Sequence, residues 1–426
     1  MNAFPLTVLL FFLFMILGIP IAAGLILSLV ITNIFFGIYP FVTMATLIYR
    51  ALDSYVLIAV PLFLLAGISM SIGGVSNRIF NFSESLVGPI RGSMGNVNVL
   101  ASMFFGGMSG SSVADVAGLG KIEIKEMTER GYPIEYSTAV TVASATMSVI
   151  IPPSILLVIY AVTNGLSVGN MLLAGLFPGI LIGIVLLIFN IYMSSKNNWG
   201  APTKFSISNV WERGKYGFLA ILTPLIILVG IFSGSFTPTE ASAVAFVYAL
   251  FLGIFVFKGL KLNQIPEILY EGARTTGIVA LSLCGGLLFA NFLALENVPQ
   301  QITDLFLSVT SNPILIMLGI NFILLVAGMF LNTGFCIIVF SPIFLPLVTQ
   351  MGYSPIHFGI IMVCNLAIGL TTPPVGACLY AGSAVSGLKL EVIAKWLLPF
   401  WVCLLFTLFL IVIFPWLSLC LPSIRL

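Results

Sequence analysis

Ser148–Ser154 reads SVIIPPS, and 221 residues further on Gly369–Gly376 reads GLTTPPVG. Both lie inside long apolar stretches of the chain. Two consecutive prolines remove two backbone donors and bar the residues before them from the α region. Carbonyls about four residues upstream then lose their helical partners. In hydrocarbon such groups must be paired inside the protein, by water or by an ion. Freed carbonyls at membrane depth are ligands for a hard cation, and the half-helix that follows points positive potential at an anion. The plainer reading of either motif alone is a structural kink. Symmetric recurrence argues for more.

About 40 residues before each motif lies a second polar interruption. Gly106–Asp115 reads GGMSGSSVAD, and Gly328–Phe335 reads GMFLNTGF. Glycine and serine are poor helix-centre residues, so these stretches suit the tips of re-entrant hairpins. Such tips expose amides and hydroxyls. At an offset of 221, Asn332-Thr333 stands opposite Ser111-Ser112, and Gly352-Tyr353 opposite Gly131-Tyr132. Gly18-Ile19-Pro20 falls within a residue of the turn in Phe236-Thr237-Pro238. The chain therefore reads as two repeats, and repeats of this kind place a transport site at their interface. The alternative for the small residues is close helix packing.

Composition sets the solvent. Of 426 residues, 60% are apolar and 7% charged, with 16 Lys+Arg against 14 Asp+Glu. So few charges cannot keep that much apolar surface in water. A net charge of +2 cannot track phosphates, which excludes a nucleic-acid binder. The runs are apolar on all faces, unlike the alternating strands of a barrel. At about 20 residues per crossing, roughly ten to thirteen membrane segments fit. The expected class is an all-α integral membrane protein with two repeats, hairpins near 104–116 and 328–336, and broken helices near 148–155 and 369–376. The repeats are expected to be inverted, which needs an odd number of crossings in each.

Ser194–Gly217 is the longest polar stretch and holds Lys196, Lys204, Arg213 and Lys215 against Glu212. It divides a first repeat over 1–200 from a second over 216–426. The positive-inside rule puts the basic loop at 201–215 in the cytoplasm. The N-terminal apolar run lacks a basic leader region and continues past Pro20, so it reads as a retained first helix. Glu123, Lys125, Glu126, Glu129 and Arg130 read as a solvated hairpin end, and His357 as a loop or helix-end residue. The six cysteines have no metal-ligand spacing and read as small hydrophobes. Under the offset Asp53 meets Arg274, which allows a cross-repeat ion pair. There is no Ser/His/Asp set, paired histidine, phosphate loop or CxxC, so no catalytic constellation stands out and an enzyme is not expected.

The residues Asp53-Ser54 with Ile58–Gly67, Ser109–Asp115 (SGSSVAD), Ile150–Ser154 (IIPPS), Phe236–Ala241 (FTPTEA) and Gly369–Gly376 together resemble the large membrane subunit of tripartite ATP-independent periplasmic (TRAP) transporters. The resemblance covers essentially the whole chain. It implies an elevator-type, Na⁺-driven symporter of the bacterial inner membrane. It also implies a small four-helix membrane subunit, here a separate polypeptide, and a periplasmic binding protein that delivers an organic anion. That binding protein largely sets whether the cargo is a C4-dicarboxylate, sialic acid or another sugar acid. Two or more Na⁺ ions are implied. The first would draw on Gly106, Ser109, Ser148, Ile151 and Pro153, and the second on Gly328, Gly369, Thr372 and Val375, largely through backbone carbonyls. Ser111, Ser112, Asp115, Asn332 and Thr333 are the candidates for facing the substrate. One departure is Gly334, where many members carry proline or a hydroxyl residue. A stand-alone Na⁺- or H⁺-coupled carboxylate carrier is the alternative, and a channel or membrane enzyme a more distant one.

Overall fold

A computed structural model describes residues 3–53, 55–200 and 206–425, so Ser54 and Lys204 fall outside the described residues. Every regular element among them is helical. Six helices are long and apolar enough to cross a bilayer, or up to eight if each of two bent pairs is one span. Ala59–Ile72 and Val75–Val87 form one such pair, bent by 74°. Five shorter apolar helices accompany them, Pro355–Gly369 and Ala377–Ser386 among them. With the two bent pairs and the five shorter apolar helices counted as segments, the described residues hold up to thirteen apolar helical segments, of which six are long enough to cross alone. Pro355–Gly369 and Ala377–Ser386, on either side of the second break, are each shorter than the about 20 residues needed to cross alone.

The repeat is visible in the element boundaries. Ser112–Gly118 and Thr333–Gln350 begin 221 residues apart, as do Ile134–Ser144 and Pro355–Gly369. Gly131 and Gly352 both sit at φ +85°, where only glycine is unstrained, and turn the chain into those two helices. Pro20 precedes Ile21–Phe36, while Thr237 caps Pro238–Phe251 with a capping box to Glu240. Both Pro-Pro bonds are cis.

The basic midpoint is more helical than expected. Leu176–Asn197 runs into it, and Ile207–Phe232 starts with Ser206 as N-cap, accepting from the Asn209 amide at 3.4 Å. The part of the expected loop from 207 to 215 is thus helical, and 201–205 lie outside the described residues. Arg213 sits on that helix and, with Arg130, pairs with Glu84. Arg274 pairs with Glu271 on its own helix at 3.9 Å, and no ion pair joins it to Asp53 among the described residues. All six cysteines are free and four are buried.

Candidate functional site

Each hairpin is pressed onto its break by glycine. A methyl group on Gly106 would stand 2.6 Å from the Ser148 Cα, and one on Gly369 would stand 2.7 Å from the Gly328 carbonyl carbon. Neither contact leaves room for a side chain, which explains these two glycines physically. Further along the tip, a methyl on Gly110 would meet the Pro153 carbonyl oxygen at 2.8 Å. In the second half the Val375 and Gly376 amides donate to the Met329 carbonyl at 3.3 and 3.4 Å. The structure therefore brings Gly106, Ser109, Ser148 and Pro153 together, and separately Gly328, Gly369, Thr372 and Val375. Ile151 packs its side chain against Gly107 and Gly179. Val375 is largely exposed and contributes backbone.

The tips are helix starts. Ser111 accepts from the Ala114 amide at 3.4 Å, and Asn332 from the Gly334 and Phe335 amides at 3.0 and 3.4 Å. These caps satisfy donors that would otherwise be orphaned. With its carbonyl oxygen so engaged, the Asn332 side-chain amide keeps its donors free. Ser111, Ser112, Asn332 and Thr333 line one cavity of about 670 Å³. Ser112 Oγ and Thr333 Oγ1 are buried there without a partner. The cavity's other walls come from Pro20-Ile21-Ala22, Leu64, Ile155, Ile159 and the long helix Ile265–Leu295. None of the described lining residues is charged. Thr275 and Ser282 of the long helix also line it, and sequence reading missed both. Their hydroxyls donate to carbonyls of their own helix at 3.0 and 2.8 Å, as hydroxyls do on many apolar helices. No local signal marked them.

Asp115 departs from its expected place. It does not line the cavity but is buried behind the tip, accepting from the Ser148 hydroxyl at 2.8 Å. Its Oδ1 has no partner. Asp115 thus belongs to the first break. A buried polar chain lies on the adjoining helices: Asn98 donates to Thr141 at 2.7 Å, and Ser144 donates to Asn98 at 3.0 Å. Glu123 corrects a second expectation. Among neighbours that are solvated, it is 0% exposed and neither carboxylate oxygen has a hydrogen bond. Helix Gly120–Glu129, outside the helices long enough to span, carries Lys125 and Glu129 on its open face and Glu123 on the opposite one. Burial drives the Glu123 carboxyl well above the usual carboxylate range, and the charge of Asp115 adds to the rise. His357 is a helix-end residue, buried near the start of Pro355–Gly369 with its Nδ1 3.2 Å from the Ser418 hydroxyl.

The second break is more neutral. The Thr372 hydroxyl donates to the Ile368 carbonyl at 2.8 Å, so it is already engaged. Thr371 donates to the same carbonyl and accepts from the Trp401 indole at 3.1 Å. Asn365 donates to Asn321 at 2.7 Å in the place corresponding to the polar chain of the first half.

Two repeats, each with a hairpin tip closed onto a Pro-Pro break, define a multi-pass membrane transporter rather than an enzyme. Residues 8–417 match the family described as "Tripartite ATP-independent periplasmic transporter, DctM component". The chain belongs to that family, and with it to the bacterial inner membrane. It is 41% identical to the sialic acid TRAP transporter large permease protein SiaM of Vibrio cholerae, over 88% of this chain and 87% of that protein. It is 38% identical to the C4-dicarboxylate TRAP transporter large permease protein DctM of Pseudomonas aeruginosa, over 89% of each. Against the sialic acid TRAP transporter permease protein SiaT of Haemophilus influenzae it is 36% identical, over 98% of this chain and 68% of that protein. Its fold is similar to the crystal structure of the YdaH transporter of Alcanivorax borkumensis, with a TM-score of 0.65 at 12% identity, covering 88% and 87% of the two chains.

Proposed function

We propose that this chain carries an organic anion into the cell, driven by sodium and handed over by a periplasmic binding protein, with a small membrane subunit as its second partner. One observation carries the reading. Two hairpin tips 221 residues apart meet at a single cavity lined by unpartnered hydroxyls and a free amide, with no charged side chain on it. Such a cavity offers hydrogen bonds to a carboxylate or sulfonate but no counter-charge. Sodium ions at the two breaks supply it. The relatives' names fit an anionic cargo, including sialic acid, C4-dicarboxylate and isethionate.

The donor set suits a hard cation. Around the first break stand Ser109, Ser148, the Pro153 carbonyl and the open Asp115 Oδ1. The second break offers Thr372 and the backbone of Gly328, Gly369 and Val375. Oxygen ligands of this kind bind Na⁺ without basic residues nearby. Ions that order both tips favour the loaded state over the empty one, which is the differential affinity a coupled cycle requires. The loaded unit of hairpins and breaks then slides against the remaining helices, as in an elevator.

The test is uptake in proteoliposomes holding this chain, its small subunit and its binding protein. A sodium gradient should drive uptake, and replacing it with a proton gradient alone should stop it. Uptake that continues without sodium rejects the coupling. Ser109→Leu and Thr372→Leu should each abolish the sodium-dependent component, and wild-type rates in both would remove the ion sites from these positions.

A further inference from the structure

In the first half, helix Leu176–Asn197 packs directly against Ser93–Ser109. Asn190 donates to the Gly92 carbonyl at 3.0 Å and to Asn96 Oδ1 at 2.7 Å. Glycine lets the two helices close. A methyl on Gly95 would stand 2.1 Å from Asn190 Oδ1, and one on Gly183 would stand 2.4 Å from Met103 Sδ. At the 221-residue offset, the counterparts of Gly95, Gly183 and Asn190 are Ile316, Leu404 and Ile411. The added bulk and the missing amide remove both the close approach and the bonds. The matching helices, Pro313–Phe330 and Leu390–Ile413, both pack on Pro355–Gly369 but make no extended contact with each other.

A groove of about 470 Å³ lies between them. Leu318 and Leu325 line one wall, and Leu405 and Phe409 the other. None of its described lining residues is charged. Asn321 and Asn365 also line it, but Asn365 donates to Asn321 at 2.7 Å and Asn321 to the Met317 carbonyl at 2.9 Å. Asn365 Oδ1 is buried, so the groove presents hydrocarbon. Both walls are long and apolar enough to span a bilayer, so the medium outside is lipid. The groove starts at helix ends, Ile314 and Ile413, beside the turn residue Tyr353. Tyrosine favours the bilayer interface. From Ile314 to Leu325 the groove follows its helix for about 16 Å. One leaflet's share of the hydrocarbon core is about 15 Å.

We propose that this groove is a binding site for one acyl chain of a membrane phospholipid. The chain enters at the Tyr353 end and fills the place that direct helix contact closes in the first half. With no charged residue on the described lining, the site selects the chain and not the headgroup. A chain held there bonds to neither wall. The second hairpin arm can then shift against Leu390–Ile413, while the first is pinned by Asn190.

The experiment places the full chain, with its small membrane subunit, in vesicles of phosphatidylethanolamine and phosphatidylglycerol. A trace of either lipid carries a photoactivatable diazirine in its acyl chain. Ile184 and Ile188, the counterparts of Leu405 and Phe409, are 46% and 63% exposed, against 41% and 46%. They report lipid that merely surrounds the protein. Adducts on the peptide holding Leu405 and Phe409 should exceed those on the peptide holding Ile184 and Ile188 by about threefold or more, whichever headgroup carries the probe. Leu405→Trp fills the groove from one wall and Leu318→Trp from the other. Each should bring the ratio close to equality, and either alone decides if the other fails to fold. Equal labelling of the two peptides in wild type, or a ratio that survives the tryptophans, would overturn the proposal. So would groove labelling that appears only when the small subunit is left out, which would give the groove to a helix of that partner.

Discussion

The two halves share a backbone plan but not a charge plan. In the first, the hairpin and break bury Asp115 against Ser148, with Glu123 behind and Asn98, Thr141 and Ser144 alongside. In the second, the counterparts of Asp115, Glu123 and Ser148 at the 221-residue offset are Cys336, Phe344 and Gly369, and Asn365, which stands in the place of Ser144, pairs with Asn321. Close glycine contacts are common to both, at Gly106 and at Gly369. The backbone geometry therefore belongs to the repeat, whereas the buried carboxyl groups among the described residues, Asp115 and Glu123, lie in the first half alone.

The largest expected effect tests what the halves share. Gly106→Val and Gly369→Val each force a side chain into backbone at under 3 Å. Both should abolish uptake and lower the melting temperature, and a functional Gly369→Val would end the parallel. Next comes the difference in charge. Asp115→Asn should weaken sodium binding by about tenfold, or roughly 1.4 kcal/mol. Thr372→Val removes a neutral oxygen rather than a charge and should weaken it by less, about threefold. Equal losses in sodium titrations would mean the halves work alike. Smaller again is the cap. Asn332→Ala should cost about 1 kcal/mol of stability and raise the anion concentration needed for half-maximal uptake. Ser111→Ala, with a longer cap bond of 3.4 Å, should cost less. Least of all, Glu84→Gln breaks ion pairs whose arginines are 32% and 41% exposed, and should shift stability by under about 1 kcal/mol.

Much of the site was legible in the chain. Gly, Ser, Asn and Pro mark hairpin tips and breaks through local backbone chemistry, so Ser111, Ser112, Asn332 and Thr333 could be assigned to one cavity. The errors lie elsewhere. Asp115 follows the tip in sequence, but its side chain turns behind it. Glu123 sits among exposed charges, and a helix only ten residues long gives too little periodicity to tell its buried face. Residues 207–215 are helical because Ser206 starts a helix that polar composition concealed.

Composition, hydropathy and the 221-residue spacing by themselves determined a membrane protein of two repeats with paired breaks, because each is a property of neighbouring residues or of bulk solubility. Only the tertiary structure decided which polar groups face the cavity, which face the first break and which are sealed without a partner. Those outcomes depend on contacts between segments far apart in the chain, such as Ser148 with Asp115 and the long helix with the tips. A residue type states what chemistry it can offer. Its neighbours in space decide whether that chemistry is spent, free or sealed away.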